Sequence, residues 1–315
     1  MVPGEHITDV AGVDIGKRWL DVGFVHSHAP QRFANTAEGI AALMACLHAY
    51  GVRRVGMEAS GNYEHELRLL LEDAGFEAIL HQPAEVHAFA RFRRIKVKSD
   101  KADARLIAQA TQAYEGIAAR RDRELVDLAE LMTLYEHVAD LLAKTRTAAE
   151  HDRLEDVTIL RQEMVAVLSQ QKQQALSLIM ARVRRRPDLV ERFELLKSLP
   201  GVGQIVALAL VIRMPELGQL DRGKASALLG VAPFDRDSGM HKGQRFITGG
   251  RRRPRDLVYI AALAAKRMDT TFKAFAQRLV TAGKPVKIAI VAVMRKLIEA
   301  ANLVLKRKTP WIIKT

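Results

Sequence analysis

Apolar residues in the first third of the chain fall into short runs that predict strands, separated by longer stretches with helical spacing. Strands are predicted in "TDVAGVDIGKRWLDVGFV", on both sides of its "DIGK" turn, and in "QRFANT", "VRRVGMEA" and "FEAILHQ". Helices are predicted in "AEGIAALMACLHAYG", where Thr36 is a suitable N-cap, and in "NYEHELRLLLEDAG", "AEVHAFARF" and "SDKADARLIAQATQAYE". The predicted order of elements is therefore β-β-β-α-β-α-β-α.

This order is that of a ribonuclease-H-like α/β sheet, in which an antiparallel meander is continued by parallel strands through helical crossovers. We therefore expect residues 1–118 to form one such domain.

Residues 119–190 have a different pattern, with no glycine or proline before Pro187. Apolar residues recur there at spacings of three and four, at Leu125, Leu128, Met132, Tyr135, Ala139 and Leu142, and again at Val157, Leu160, Met164, Leu168, Ala175 and Ile179. The spacing predicts long paired helices, with a bend at "EHDRLED" (150–156). Two arrangements fit equally: a coiled-coil stalk that dimerises the chain, or two antiparallel helices within one chain.

Residues 191–315 are predicted to form a third domain, mainly α-helical and basic. Its "LPGVGQIVA" (199–207) is typical of a helix-hairpin-helix-like motif, in which Gly201 and Gly203 allow a tight turn whose backbone N–H groups bind phosphate. A structural turn between packed helices would have the same sequence.

All of the excess positive charge of the chain lies in its C-terminal part. Residues 181–315 hold 28 Lys and Arg against 10 Asp and Glu, whereas residues 1–180 hold 21 against 26. Such a field attracts polyanions, and clusters such as "RVRRR" and "GGRRRPR" indicate nucleic acid rather than a surface kept only for solubility. The predicted nucleic-acid-binding residues are Arg91, Arg93, Arg94, Lys96, Lys98, Gly201, Gly203, Lys242, Arg245, Arg251, Arg252, Arg253 and Arg255.

Other classes of protein fit poorly. The longest apolar run, "IVALALVI", is too short to cross a bilayer, and the N-terminus has no signal-peptide pattern. The single cysteine, Cys46, allows neither an internal disulfide nor a thiolate metal site. We expect a cytoplasmic protein associated with the nucleoid.

Four acidic residues fall where a ribonuclease-H-like sheet places catalytic acids: Asp14 in the first strand, Glu58 at the end of the fourth, and Asp100 and Asp103 on a late helix. The last two are three residues apart and share a helix face. Each alone has a simpler explanation, as a turn residue, a strand end or an exposed ion pair. Together they predict an oxygen-only site for Mg²⁺ or Mn²⁺, since converging carboxylates need a compensating cation. His65, His81 and His87 are expected to be structural.

The chain also resembles a known family. "GVDIGKRWLDV", "MEASGNYEHEL", "KSDKADARLIA", "SLPGVGQIVA" and "APFDRDSGMHKG" together resemble the DEDD transposases of the insertion sequence 110 family, including its 1111 subgroup. The resemblance covers nearly the whole chain. It implies a RuvC-like catalytic domain whose acids correspond to the four above, a coiled coil, and a C-terminal transposase domain whose nucleophilic serine corresponds to Ser238.

The resemblance further implies a recombinase that a structured non-coding RNA guides to donor and target DNA, acting as a homodimer that assembles into a tetramer. The predicted function is a metal-dependent DNA recombinase with a phosphoserine intermediate. Three alternatives stay open: a junction-resolving metal nuclease in which water attacks, a non-catalytic dimeric nucleic-acid-binding protein, and an actin-like phosphotransferase. The last would need nucleotide-binding glycine loops, for which "LPGVGQ" is a poor substitute.

Overall fold

The computed structural model describes residues 10–26, 29–61, 63–95, 100–115, 122–234 and 246–312, although not the side chains of residues 100–102 and 234. The chain divides into two compact units, Met1–Arg120 and Arg121–Thr315.

The first unit is built on a five-stranded mixed sheet with the strand order β3-β2-β1-β4-β5. β1 pairs antiparallel with β2 and parallel with β4, so the first strand of the chain lies at the centre of the sheet. The elements are β1 (Val10–Ile15), β2 (Trp19–Phe24), β3 (Gln31–Ala34), α1 (Ala37–Ala49), β4 (Arg54–Glu58), α2 (His65–Asp73), β5 (Glu77–His81), α3 (Pro83–Phe92) and α4 (Asp100–Gln112). This order and topology confirm the predicted ribonuclease-H-like domain.

A row of three glycines allows α4 to lie unusually close to the sheet. Gly12 on β1 is the register partner of Gly23 on β2 and of Gly56 on β4. A Cβ added at Gly12 would lie 2.9 Å from the Cα of Ala108 and nearer still to two other backbone atoms of α4. At Gly23 it would lie 2.5 Å from a backbone nitrogen of the same helix. We call Gly23, Gly12 and Gly56 the glycine row. Gly23 and Gly12 bring the backbones of helix and sheet into direct contact, and Gly56 leaves room for the Thr111 side chain of the same helix.

The second unit begins with a helical hairpin of α5 (Arg123–Ala149) and α6 (Glu155–Arg184). The turn between them lies within the predicted bend. The helices are antiparallel, because Arg182 near the end of α6 forms an ion pair of 2.9 Å with Asp127 near the start of α5. Pairing of long helices is thus confirmed, and in this structure it occurs within one chain.

The rest of the second unit is a helical bundle around a buried central helix. Its elements are α7 (Pro187–Lys197), α8 (Gln204–Arg213), α9 (Lys224–Leu229), β6 (Pro233–Phe234), β7 (Phe246–Ile247), α10 (Arg252–Met268), α11 (Thr270–Thr281) and α12 (Val286–Arg307). Every residue of α8 from Val206 to Ile212 is buried, as expected for a helix that is apolar on all faces. The base of the hairpin shares this core through Tyr135 and Ile179.

The prediction of a mainly helical C-terminal part is confirmed, and the two-residue strands β6 and β7 are an addition that no sequence pattern indicated. Thr36 caps α1 as predicted, accepting a hydrogen bond of 3.2 Å from the backbone of Gly39. Among the described helices, none is long and apolar enough to span a membrane.

Candidate active site

The sheet carries a row of polar side chains that crosses all five strands on the face covered by α4. Direct register partners are Asp14 with Asp21, Asp21 with Arg32, and Glu58 with His81. Continuing the β1–β4 register by one residue beyond Val13 and Met57 sets Asp14 beside Glu58. We call Arg32, Asp21, Asp14, Glu58 and His81 the charged row. On each of β2, β1 and β4, the residue of the charged row is two positions from the glycine of the glycine row. Side chains two positions apart in a strand point to the same face, so the charged row lies on the face that α4 covers.

The charged row brings two of the predicted metal ligands together, since Asp14 and Glu58 lie at the carboxyl ends of adjacent parallel strands. Neighbouring strands are about 4.8 Å apart. Both residues are half-buried, and Asp14 has an electrostatic or hydrogen-bonding contact within the chain.

The third predicted ligand, Asp103, lies on α4, the helix that covers this face of the sheet. Asp103 immediately precedes Ala104, whose backbone lies against Gly12. Burial raises the pKa of Glu58; the charge of His87 acts to lower that pKa, and the charge of Asp103 raises it further. Asp103 therefore lies close enough to Glu58 for the two carboxylates to repel each other.

Asp100 is the first residue of α4, one helical turn before Asp103, and its side chain is outside the described part of the structure. Among the side chains that the structure describes, no three His, Cys, Asp or Glu residues are grouped closely enough to enclose a metal ion. The donors that do approach one another are all carboxylate oxygens, which fit a hard divalent cation. The residues present therefore fit Mg²⁺ or Mn²⁺.

Of the three histidines expected to be structural, His81 is buried in a closed hydrogen-bond chain. The hydroxyl of Thr111 donates to the carbonyl of Ile107 at 2.7 Å, so it accepts from Nε2 of His81 at 2.8 Å. Nε2 of His81 therefore carries a proton, and burial lowers the pKa of His81, which favours the neutral imidazole. His87, on α3, is instead exposed, and its charge acts on Glu58. The sequence held no signal for that proximity.

Two members of the charged row were missed in the sequence, namely Asp21 and Arg32. Asp21 is almost completely buried, at 4% exposure. Arg32 donates to both of its carboxylate oxygens, with Nε at 2.9 Å and Nη2 at 2.8 Å. The signal that could have found Asp21 is its position in a predicted hairpin, facing Asp14.

The basic residues predicted near α3 are exposed where they are described. Arg91 is in the last turn of α3, Arg93 is its C-cap, and Arg94 follows with a left-handed backbone, φ 55°. All three side chains reach solvent on the segment that leads to α4. They stay candidates for contact with nucleic acid.

The arginines of "GGRRRPR" differ greatly in how they are engaged within the chain. Arg251 forms a double hydrogen bond with Glu216, at 2.8 and 2.6 Å, and also bonds the carbonyl of Arg213. Arg253 pairs with Asp140 at 2.8 Å and lies near the buried Glu136. Arg255 donates to the carbonyl of Gly249 at 2.7 Å.

Arg252 contrasts with these three arginines, since 84% of its side chain is exposed and its contact with Asp256 spans 3.8 Å. Of the four predicted contacts in this cluster, Arg252 is thus the side chain most available to a partner.

The two glycines of "LPGVGQ" also differ from each other. Gly201 has φ 75°, and a Cβ there would lie 2.6 Å from the backbone nitrogen of Ala265, so its role in packing is evident. Gly203 is the N-cap of α8 and has open space where a side chain would be. The turn is therefore needed for helix packing and still leaves the N-terminus of α8 accessible at Gly203.

Five predicted site residues lie outside the described part of the chain: Ser238, Lys96, Lys98, Lys242 and Arg245.

Comparison with protein families identifies the class to which this sheet and its acids belong. Residues 11–157 match a transposase model named for the DEDD acids of insertion sequence 110, and residues 193–277 match the model described as the transposase IS116/IS110/IS902 family. The first match covers most of the first unit and continues into the hairpin of α5 and α6, and the second match lies within the second unit. The chain is a DNA transposase or recombinase, and DNA is its partner.

Curated relatives extend the comparison over almost the whole chain. Pilin gene-inverting proteins from Moraxella bovis and Moraxella lacunata are each 25% identical over 312 residues, which cover 95% of this chain and 96% of theirs. The chain belongs to the insertion sequence 110 family of transposases, which confirms the resemblance found in its motifs.

Proposed function

We propose that this protein is an RNA-guided DNA recombinase that cuts and exchanges strands through a phosphoserine intermediate, with Mg²⁺ or Mn²⁺ held by Asp14, Glu58, Asp100 and Asp103. The observation that supports it best is the convergence of the described acids. Strand register sets Asp14 beside Glu58, and the charge of Asp103 acts on Glu58 from α4. Like charges that approach one another at a sheet edge are unfavourable unless a cation offsets them.

The roles of the residues follow from this arrangement. A divalent cation bound by the four acids would polarise the scissile phosphate and stabilise the leaving oxygen. The Ser238 hydroxyl would attack phosphorus, forming a phosphoserine bond as the DNA ester bond breaks, and its proton would end on the leaving DNA oxygen, which is released as a hydroxyl. In the second transfer a DNA hydroxyl would attack the phosphoserine, restoring the serine and joining a new strand. A serine hydroxyl is a weak nucleophile without activation, so we expect the acids to be needed in both transfers.

A division of labour along the chain accompanies this proposal. Residues 1–118 would supply the RuvC-like acids, 119–190 the coiled-coil stalk, and 191–315 the serine and further contacts with nucleic acid, including a helix-hairpin-helix-like contact at Gly203. Two relatives are named for inverting a pilin gene, and we infer that this chain can also catalyse the rearrangement of a DNA segment.

Assembly through the hairpin is supported by an apolar stripe that is exposed on α6. Val157, Leu160, Met164 and Val167 recur on α6 at spacings of three and four, and each is between 37% and 62% exposed. This is the a/d spacing of a coiled coil. We therefore propose a homodimer that pairs along this stripe and assembles further into a tetramer. A charged substitution, Leu160→Lys with Met164→Lys, is expected to convert the dimer into a monomer in analytical ultracentrifugation.

The nucleophile is tested with Ser238→Ala and Asp14→Asn, using end-labelled DNA and denaturing gels. We expect wild-type protein to form a covalent protein–DNA adduct, and both variants to lose it. A water-based metal nuclease would keep cutting DNA after Ser238→Ala, and a non-catalytic binding protein would show no effect of Asp14→Asn. Either result would contradict the proposal.

Guidance by RNA is tested by purifying the protein from cells that carry its own element and sequencing the nucleic acid bound to it. Recovery of one structured RNA encoded beside the gene is expected. Random cellular RNA alone would contradict this part of the proposal and leave the chemistry untouched.

A further inference from the structure

The outer end of the charged row has a feature that the proposed chemistry does not use. Arg32, on the edge strand β3, is held by two hydrogen bonds from its guanidinium to Asp21, and Asp21 is the register partner of Asp14. The carboxylate is buried while 43% of the arginine side chain is exposed. Two fixed donor bonds leave the guanidinium with a defined orientation at the sheet surface.

Stability alone does not explain this ion pair. Taking a carboxylate out of water is costly, and apolar residues of similar volume often replace buried pairs without loss of stability. Asp21 also adds a negative charge next to Asp14, which already lies beside the carboxylate of Glu58. A buried acid in this position is better explained if its purpose is to orient the arginine.

An exposed aromatic ring accompanies the arginine. Trp19 lies two residues before Asp21 on β2, and therefore on the same face. It is 49% exposed, and the guanidinium carbon of Arg32 lies 5.9 Å from the ring centroid. The chain has two tryptophans, and the other, Trp311, packs against Phe272 inside the second unit.

An oriented guanidinium beside an exposed indole has the chemistry that recognises a nucleotide. Guanidinium binds phosphate oxygens in a bidentate manner, and an aromatic face stacks on any base. Arg32 is two strands from Asp14, which corresponds to about 10 Å across the sheet. A DNA strand whose phosphodiester lies at the acids can reach this position.

We propose that Trp19 and Arg32 form a strand-guiding site, which binds the DNA strand leading to the acids by stacking one base on the indole and bonding one phosphate with the guanidinium. Asp21 acts as a positioning residue for Arg32. The inference rests on the proposed function, because it takes the acids as the place where DNA is cut.

The test measures the binding of a fluorescein-labelled single-stranded oligodeoxynucleotide by anisotropy at several KCl concentrations. The first variant is the double substitution Asp21→Asn with Arg32→Gln, which leaves no buried charge unpaired and does not change net charge. Loss of one phosphate contact should lower the affinity and reduce the slope of log K against log salt by about 0.7. Trp19→Ala should lower the affinity roughly fivefold or more without changing that slope. Trp19→Phe, which keeps a ring, should stay close to wild type.

A matched control lies in the same sheet. Arg54 and Glu77 form an equivalent double hydrogen bond, at 2.7 and 2.8 Å, at the amino ends of β4 and β5. The double substitution Arg54→Gln with Glu77→Gln removes a pair of the same geometry and the same charge from the opposite end of β4. It should bind DNA like the wild-type protein.

The outcomes separate the inference from the proposed function. If Asp14→Asn abolishes recombination while Trp19→Ala and the Asp21/Arg32 variant bind DNA as tightly as wild type, the strand-guiding site is refuted and the proposed function stands. Loss of affinity for an RNA oligonucleotide of the same sequence, but not for DNA, would also refute it. Should the Asp21/Arg32 variant fail to fold in circular dichroism, the comparison of Trp19→Ala with Trp19→Phe decides alone.

Discussion

Substitution of Gly12 by alanine should disable the active site without touching any acidic residue. The new Cβ would lie 2.9 Å from Cα of Ala108, whereas ordinary Cβ contacts begin at 3.4 Å, and two other backbone atoms of α4 are closer still. The atoms that the new Cβ would meet are backbone atoms of Ala104 and Ala108, so the clash cannot be relieved by rotating a side chain. The helix must therefore move away from the sheet, by about 1 Å for the nearest atoms.

Two consequences of that movement can be measured. Overpacking of this kind costs about 1–3 kcal/mol of unfolding free energy. The same movement carries Asp103 away from Asp14 and Glu58, and a displacement of about 1 Å in an active site can lower the rate about 100-fold.

Thermal unfolding and recombination rate should be measured on the same preparations, at a temperature where circular dichroism shows both proteins folded. Gly203→Ala serves as the stability control, because its φ of −78° suits alanine and a Cβ there would have open space around it. Its melting temperature should fall less than that of Gly12→Ala, because only the N-cap of α8 is weakened. An unchanged melting temperature and rate for Gly12→Ala would refute the idea that the glycine row determines how closely α4 packs against the sheet.

Three further predictions concern charge. Asp103→Asn should abolish metal-dependent recombination and weaken Mn²⁺ binding in isothermal titration calorimetry; retained Mn²⁺ affinity would remove Asp103 from the site. Burial is the main cause that raises the pKa of Glu136 above its ordinary 4.5, so this carboxyl stabilises the fold below about pH 4.5 and loses that contribution as pH rises through the folded-state pKa. Glu136→Gln should therefore gain unfolding free energy relative to wild type from pH 4.5 upward in urea titrations, and parallel pH curves would contradict this. Arg252→Ala should reduce the salt slope of duplex-DNA binding by about 0.9 with no change in melting temperature, whereas Arg251→Ala should lower the melting temperature because it breaks the bond to Glu216; the reverse assignment would show that exposure does not identify the DNA contact.

Much of the first unit could be predicted from sequence because its signals are local. Short apolar runs end at glycines and polar turns, and Thr36 caps a helix by contacts within three residues. The positions of Asp14 and Glu58 also follow from the chain, since the carboxyl ends of adjacent parallel strands meet at one edge. The two residues converge because β1 and β4 are adjacent and parallel, and the order of the predicted elements indicated that pairing.

What could not be predicted depends on partners distant along the chain. Arg251 is in a basic run that suggests exposure, yet its partner Glu216 lies 35 residues away. The pairing of Asp21 with Arg32 depends on the register of β2 and β3. The sequence of the loop that connects these strands does not determine that register. The short distance between α4 and Gly12 likewise depends on packing. A glycine in a predicted strand indicates that another part of the chain comes close, but it does not show which part.

The central place of β1 in the sheet also has a consequence for synthesis. The meander of β1, β2 and β3 can form early as the chain leaves the ribosome, but β4 must insert along the other side of β1 before Glu58 joins Asp14. The last acids arrive only with α4, after more than 100 residues have been made. A nascent chain that has passed β5 thus holds all five strands of the sheet before Asp100 and Asp103 have been made.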